Sequence, residues 1–134
     1  MSENILQNII QKKIEKVDKL KKSLDLKTLD ELINKNNSYI NFKEKIENNI
    51  KNNKTSIIAE IKKASPSAGI IIDDYNPVDI AQIYLNNKAT CLSVLTEEDY
   101  FLGNLIHISK IKDKINLPVS VSYTHLTLPT THDV

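Results

Sequence analysis

The chain has 134 residues and a formal net charge of +1, and all 18 of its strongly basic side chains are lysine. That length suits one small domain with a modest core, while near-neutral charge and the lack of arginine, the usual bidentate reader of phosphates and bases, speak against a nucleic-acid partner. One cysteine, Cys91, excludes an intrachain disulfide and fits a reducing compartment, where it reads most simply as a buried core thiol.

No apolar run approaches the length of a membrane span, and the first residues lack the basic-then-apolar form of a signal peptide. A cytoplasmic protein with no membrane partner is expected. Over residues 3–24, Ile5, Ile9 or Ile10, Ile14, Val17, Leu20 and Leu24 recur at helical spacing, with lysines and glutamates on the other face. Ser2 is a candidate N-cap. The stripe is shorter than a sustained coiled coil requires, although a partner-binding helix remains the competing reading. Asp25 to Thr28 breaks the pattern. Leu29, Leu32 and Ile33 then suggest a short second helix, and Phe42, Ile46 and Ile50 a third. Clustered lysines such as Lys19, Lys21 and Lys22 read as solvated helix faces.

From Thr55 to Gly69 the character changes. Ile57 to Ile61 is an apolar run interrupted by Glu60 and followed by Lys62 and Lys63, which reads as a buried strand carrying charge at its C-terminal end. Asn76 and Pro77 are an N-cap and first helical residue for a helix reaching Asn86-Asn87. Cys91 to Leu95 is a second strand, and Leu105, Ile108 and Ile111 mark a further helix. Leu117-Pro118-Val119 begins a third strand. Strand starts recur after about thirty-three and then about twenty-eight residues, between Ile57, Thr90 and Pro118. Successive βα units with continuous apolar strands predict an α/β fold with a parallel sheet. A β/α barrel fits, with functional residues at C-terminal strand ends. A doubly wound sheet has the same local pattern, though no glycine-rich first loop supports its dinucleotide-binding form.

Glu60 and Lys62 are two apart, so on a strand they share a side. They are the best site candidates, as an ion pair at a barrel mouth that either contacts an anionic substrate and moves a proton or serves as a structural salt bridge. Lys63 points the opposite way. Ser65-Pro66-Ser67-Ala68-Gly69 offers hydroxyls and N–H groups to a phosphate, but turn composition explains those residues equally well, and the spacing is not that of a P-loop. Phe101 is either the apolar wall of a pocket or a loop anchor. Cys91, with Ser93 beside it, has no histidine or acid arranged around it, and His107 has no metal-ligand partner, so neither a nucleophile nor a metal centre is expected.

The run Ile58-Ala59-Glu60-Ile61-Lys62-Lys63-Ala64-Ser65-Pro66-Ser67 with Gly69 resembles the first-strand signature of the indole-3-glycerol-phosphate synthase family. Cys91-Leu92-Ser93-Val94-Leu95-Thr96-Glu97 with Tyr100, Phe101 and Gly103 is similar to that family's second strand and loop. The resemblance covers roughly residues 3–119. It implies the N-terminal part of a TIM (β/α)8 barrel, with a helical extension over residues 1–54 and the first two βα units plus the start of a third strand over residues 55–119. It implies a carboxy-lyase of tryptophan biosynthesis that uses no cofactor or metal and takes a small phosphorylated substrate. By that resemblance Lys62 and Glu60 are catalytic, while Ser65 and Phe101 bind substrate. Ala68 departs from the family, where a lysine is common. A related phosphate-binding barrel, such as phosphoribosylanthranilate isomerase, and a non-enzymatic helical interaction protein are the rival readings.

The resemblance stops after Leu117-Pro118-Val119. The family continues with a Leu-Arg-Lys-Asp-Phe-like segment holding a general-acid lysine, whereas this chain reads Ser120-Val121-Ser122 and onward to Val134. Composition shifts at the same place: all 18 lysines and all 20 isoleucines precede residue 119, and four of eight threonines follow it. Residues 120–134 are therefore expected to be an artefactual or disordered tail, with no role for His125 or His132. Residues 1–134 alone are expected to be inactive and poorly folded.

Overall fold

The apolar stripe at the start of the sequence forms a helix: in the computed structural model, α1 runs Ser2–Ser23. The structure describes residues 2–35 and 38–122, which divide into two units, one holding the first two helices and the other beginning at Ile40. The tail reading over residues 123–134, including His125 and His132, lies outside the described residues. In the first unit Ile9 is buried, while Leu20 and much of the stripe are exposed. Helix α2 runs Leu26–Lys35, starting earlier than the apolar spacing suggests. The reason is a cap: Asp25 Oδ1 accepts the Thr28 N–H at 2.7 Å, and the Asp25 carbonyl accepts that of Leu29 at 3.1 Å. Hydrogen bonds from the Thr28 N–H, and after it from the Thr28 side chain, hold the Asp25 carboxyl below its ordinary value. Among the described residues, no helix is long and apolar enough to cross a membrane.

The second unit opens with α3, Phe42–Lys51, whose N-cap Asn41 accepts the Glu44 N–H at 3.0 Å. Three strands follow in one parallel sheet: β1 (Ile58–Ile61), β4 (Cys91–Leu95) and β5 (Val119–Ser122), in the spatial order β1-β4-β5. Helix α4 (Pro77–Asn86) connects the first pair and α5 (Ile106–Lys112) the second. Asn76 caps α4 through the N–H groups of Val78 and Asp79, with Pro77 just inside, as the sequence indicates. This is an α/β fold built on a parallel sheet.

Between β1 and α4 lies a small antiparallel ladder that sequence reading did not anticipate, β2 (Ala64–Ser65) on β3 (Gly69–Ile70). Gly69 has open space around its Cα, so its glycine is required by its φ of +65 and not by crowding. Strand β5 continues to Ser122, past the compositional break, and pairs with β4 along its length.

One face of the sheet makes the core. Ala59 and Ile61 of β1 and Leu92 and Val94 of β4 pack against Ala81 of α4 and Ile111 of α5, joined by Ile115 and Leu117. Each side chain there is nearly removed from water, and fully burying a large aliphatic group contributes about 1.5–3 kcal/mol. At the margin of this layer the rings of Tyr75 and His107 meet edge to face, 5.6 Å apart at 64°. Burial pushes the Tyr75 hydroxyl up to about 12. It also lowers the His107 value, with the charges of Lys110 and Lys63 adding to the effect.

Because folding lowers the His107 pKa below 6.5, the folded chain binds its proton less readily than the unfolded chain. That contribution to stability is complete above 6.5 and is lost as pH falls through the folded value. A urea series should show the parent losing more stability than His107→Phe as pH drops below 6.5. Parallel pH profiles for the two would contradict this assignment.

Candidate active site

At the C-terminal end of β1 the alternation that buries Ala59 and Ile61 turns Glu60 to the other face. Glu60 lies in register with Ser93 of β4, which lies in register with Ser120 of β5, so a polar row crosses the face turned away from the core. Lys62 Nζ reaches Glu60 Oε1 at 2.8 Å. The two side chains are 36% and 47% exposed, and a pair so open to water contributes at most about 1 kcal/mol to stability. Stability therefore gives little reason for two charges at the end of an apolar strand. The hydroxyl of Tyr84, on α4, donates to the Glu60 backbone oxygen at 3.0 Å and ties the helix to the strand beside the pair.

Lys63 takes a different part. Its carbonyl accepts the N–H groups of Ile71 and Ile72, at 2.8 and 3.3 Å, and its charge acts on His107 beside the core. Ser65 Oγ accepts the Ala68 N–H at 3.2 Å and lies 3.5 Å from Ser67 Oγ, so it serves its own turn. Phe101 is buried at 6% exposure. Its carbonyl accepts the Ala64 N–H at 3.3 Å, which brings the loop after β4 against the chain just beyond Lys62. The structure thus joins Glu60 to Lys62 directly and Phe101 to β2, just beyond them, through the backbone.

Glu97 has a role that sequence reading missed. Its carboxylate, 7% exposed, accepts three successive backbone N–H groups: Asp99 at 3.0 Å, Tyr100 at 2.7 Å and Phe101 at 3.2 Å. Its own carbonyl accepts the Gly103 N–H at 2.7 Å. Leu102 turns the chain at φ 52, and Gly103 then passes so close to β4 that a Cβ there would lie 2.3 Å from the Leu95 oxygen. The pattern of an acid followed by a glycine across a short loop was the available signal. Thr96, buried beside this loop, leaves its hydroxyl without a partner among the described residues. Those residues bring together no group of three or more histidines, cysteines or acids that could hold a metal. Cys91 is fully buried, and burial raises its thiol pKa, so it is shielded from thiolate chemistry.

The family model for indole-3-glycerol phosphate synthase matches residues 6–122, a span that includes β1, β4, the Glu97 loop and β5. The chain belongs to the indole-3-glycerol phosphate synthase family. Relatives bearing that name include one from Aliarcobacter butzleri, 41% identical over 115 residues, and one from Clostridium acetobutylicum, 45% identical over 114. These alignments cover 86% and 85% of this chain but 44% and 39% of the relatives, so it spans less than half their length. A synthase from Dehalococcoides mccartyi is 53% identical over 64 residues, 48% of this chain and 25% of its own. Membership in the synthase family replaces the isomerase and interaction-protein alternatives.

Glu97→Ala would remove the acceptor shared by three successive N–H groups, of which that of Phe101 is buried, a loss of about 1–3 kcal/mol. Hydrogen exchange should accelerate at Asp99, Tyr100 and Phe101 while Leu92 and Val94 stay protected; unchanged loop exchange would contradict the role. Gly103→Ala forces backbone apart and should cost about 1–3 kcal/mol in urea denaturation.

Proposed function

We propose that this chain carries the opening βα units of a (β/α)8-barrel synthase, preceded by a helical extension over residues 1–54, and acting in the cytoplasm without a cofactor. The reaction is closure of 1-(2-carboxyphenylamino)-1-deoxyribulose 5-phosphate to indole-3-glycerol phosphate, releasing one carbon dioxide and one water, in tryptophan biosynthesis. The observation that carries the reading is the 2.8 Å Glu60–Lys62 pair at the C-terminal end of β1, in a chain of this family.

Ring closure joins an aromatic carbon to a ketone carbon, so negative charge develops on the former carbonyl oxygen and must be met by a proton or a cation. Lys62, a compact ammonium on a flexible stem, contacts the substrate carboxylate or phosphate and assists that step. Glu60 holds the ammonium in place between substrate visits and joins its hydrogen-bond network. Phe101 packs on the substrate's aromatic ring, and Ser65 shapes the turn beside it. Holding the reacting carbons together supplies much of the acceleration, because two ends of one flexible molecule are frozen in contact.

Residues 1–134 alone are a poor catalyst in this reading. β1 and β5 each pair only with β4 among the described residues, which leaves two sheet edges. On the face of Glu60, β5 presents Ser120 and Ser122 where the family resemblance implies a lysine-bearing segment. Purified residues 1–134 should turn substrate over no faster than their Lys62→Ala variant. The test of function itself is a chimera in which residues 6–122 replace the matching segment of the Aliarcobacter butzleri relative, with the rest of that protein completing the fold. If Lys62 has the proposed role, any turnover by the chimera falls about a hundredfold or more in Lys62→Ala, equivalent to about 2.7 kcal/mol of barrier. A folded, active chimera indifferent to that substitution would contradict the role of Lys62.

A further inference from the structure

The end of the sheet opposite Glu60 and Lys62 holds a cleft of its own. There α3 sits against the strand starts and leaves a cleft of about 430 Å3, within the range of pockets that take small molecules. Thr55 before β1, Thr90 before β4 and Leu117 before β5 all line it. Its walls are fixed by one side chain: Asn49 of α3 donates to Ser56 Oγ at 3.1 Å and to Thr90 Oγ1 at 3.2 Å, tying the helix to the approach of both strands. Thr90 Oγ1 also accepts the Ile57 N–H at 2.9 Å.

Three lysines line this cleft, Lys45 on α3, Lys54 after it and Lys88 after α4, and no carboxylate does. None of the three pairs with an acid among the described residues. The chain has 17 acidic residues, so a cleft that gathers three cations and excludes every acid is not the arrangement that charge balance favours. Helix ends account for part of it. Lys54 and Lys88 follow the C-termini of α3 and α4, where a cation gains about 0.3–1 kcal/mol from the exposed carbonyls. Lys88 takes φ 66 as the residue past the helix end, where its N–H and that of Ala89 close the last turn onto the Leu85 and Tyr84 carbonyls at 3.0 Å each. Lys45 lies inside α3, away from its C-terminus, and gains nothing of the kind.

We propose that this cleft binds a small phosphomonoester, with Lys45, Lys54 and Lys88 gathered around the phosphate and the half-buried Leu85 and Ala89 against the organic body. The ester is favoured over a bare ion because the wall joins ammonium groups to aliphatic surface. Three lysines without arginine make a set of point charges suited to a freely rotating phosphate and less suited to a planar carboxylate. The site is separate from the Glu60–Lys62 end and stands whether or not that pair performs ring closure.

Amide NMR of residues 1–134, titrated at low ionic strength with glycerol phosphate and, separately, with inorganic phosphate, tests this directly. Saturable shifts are expected at Lys54, Thr55, Lys88 and Thr90 with the ester. The Lys45→Gln/Lys54→Gln/Lys88→Gln variant should bind about tenfold more weakly or worse, and Lys62→Ala should bind as the parent does. All three lysines are exposed, so the triple variant keeps the core intact. Equal affinity in the triple variant, shifts confined to the Lys62 end, or binding of inorganic phosphate without the ester would overturn the proposal. So would a spectrum in which Ile57 and Thr90 amides lack dispersion, because the cleft exists only where α3 closes on those strands.

Discussion

Parallel pairing of β1 with β4 fixes the direction of every side chain in the Ile58-Ala59-Glu60-Ile61 run. With Ala59 and Ile61 packed beneath α4 and α5, Glu60 has only the other face to occupy, and Lys62 follows it there. A shift of one residue would bury a carboxylate among aliphatic side chains, where an unpaired charge costs several kcal/mol or titrates away. The apolar core therefore does more than hold the sheet together. It sets the side on which chemistry takes place.

The same constraint extends along the sheet. Ser93 and Ser120 fall in line with Glu60 because their strands keep the same register, and a polar strip results on the face away from α4 and α5. The loop after β4 then has to return past the end of β1. Glu97 makes that return possible by gathering three N–H groups on one carboxylate, and the absent side chain of Gly103 lets the backbone pass Leu95. The loop that carries Phe101 is thus held through its backbone, by the Glu97 carboxylate and by the room that Gly103 leaves.

Much of this was legible in the sequence because it is local. Apolar periodicity located the helices and strands, the Asn76-Pro77 pair marked the start of α4, and the two-residue spacing of Glu60 and Lys62 placed them together. What escaped was set by distance along the chain or by competing local bonds. The early start of α2 depends on the Asp25 carboxylate finding the Thr28 N–H, whereas the break in apolar spacing alone suggested a loop. The β2–β3 ladder needs the left-handed Gly69. The donation from Tyr84 to Glu60 spans a helix and a strand, and no spacing rule announces it. Composition marked a change at residue 119, yet pairing with β4 carries β5 through Ser122, since serine and valine alternate well enough to satisfy a strand.

Thiol labelling along β1 probes the underlying geometry most directly. In a Cys91→Ala background, single Ala59→Cys, Glu60→Cys, Ile61→Cys and Lys62→Cys variants would be reacted with a maleimide under native conditions. The packing described here predicts fast labelling at 60 and 62 and slow labelling at 59 and 61. Uniform rates, or a pattern that repeats with the period of a helix, would contradict it and remove the basis for a shared Glu60–Lys62 site.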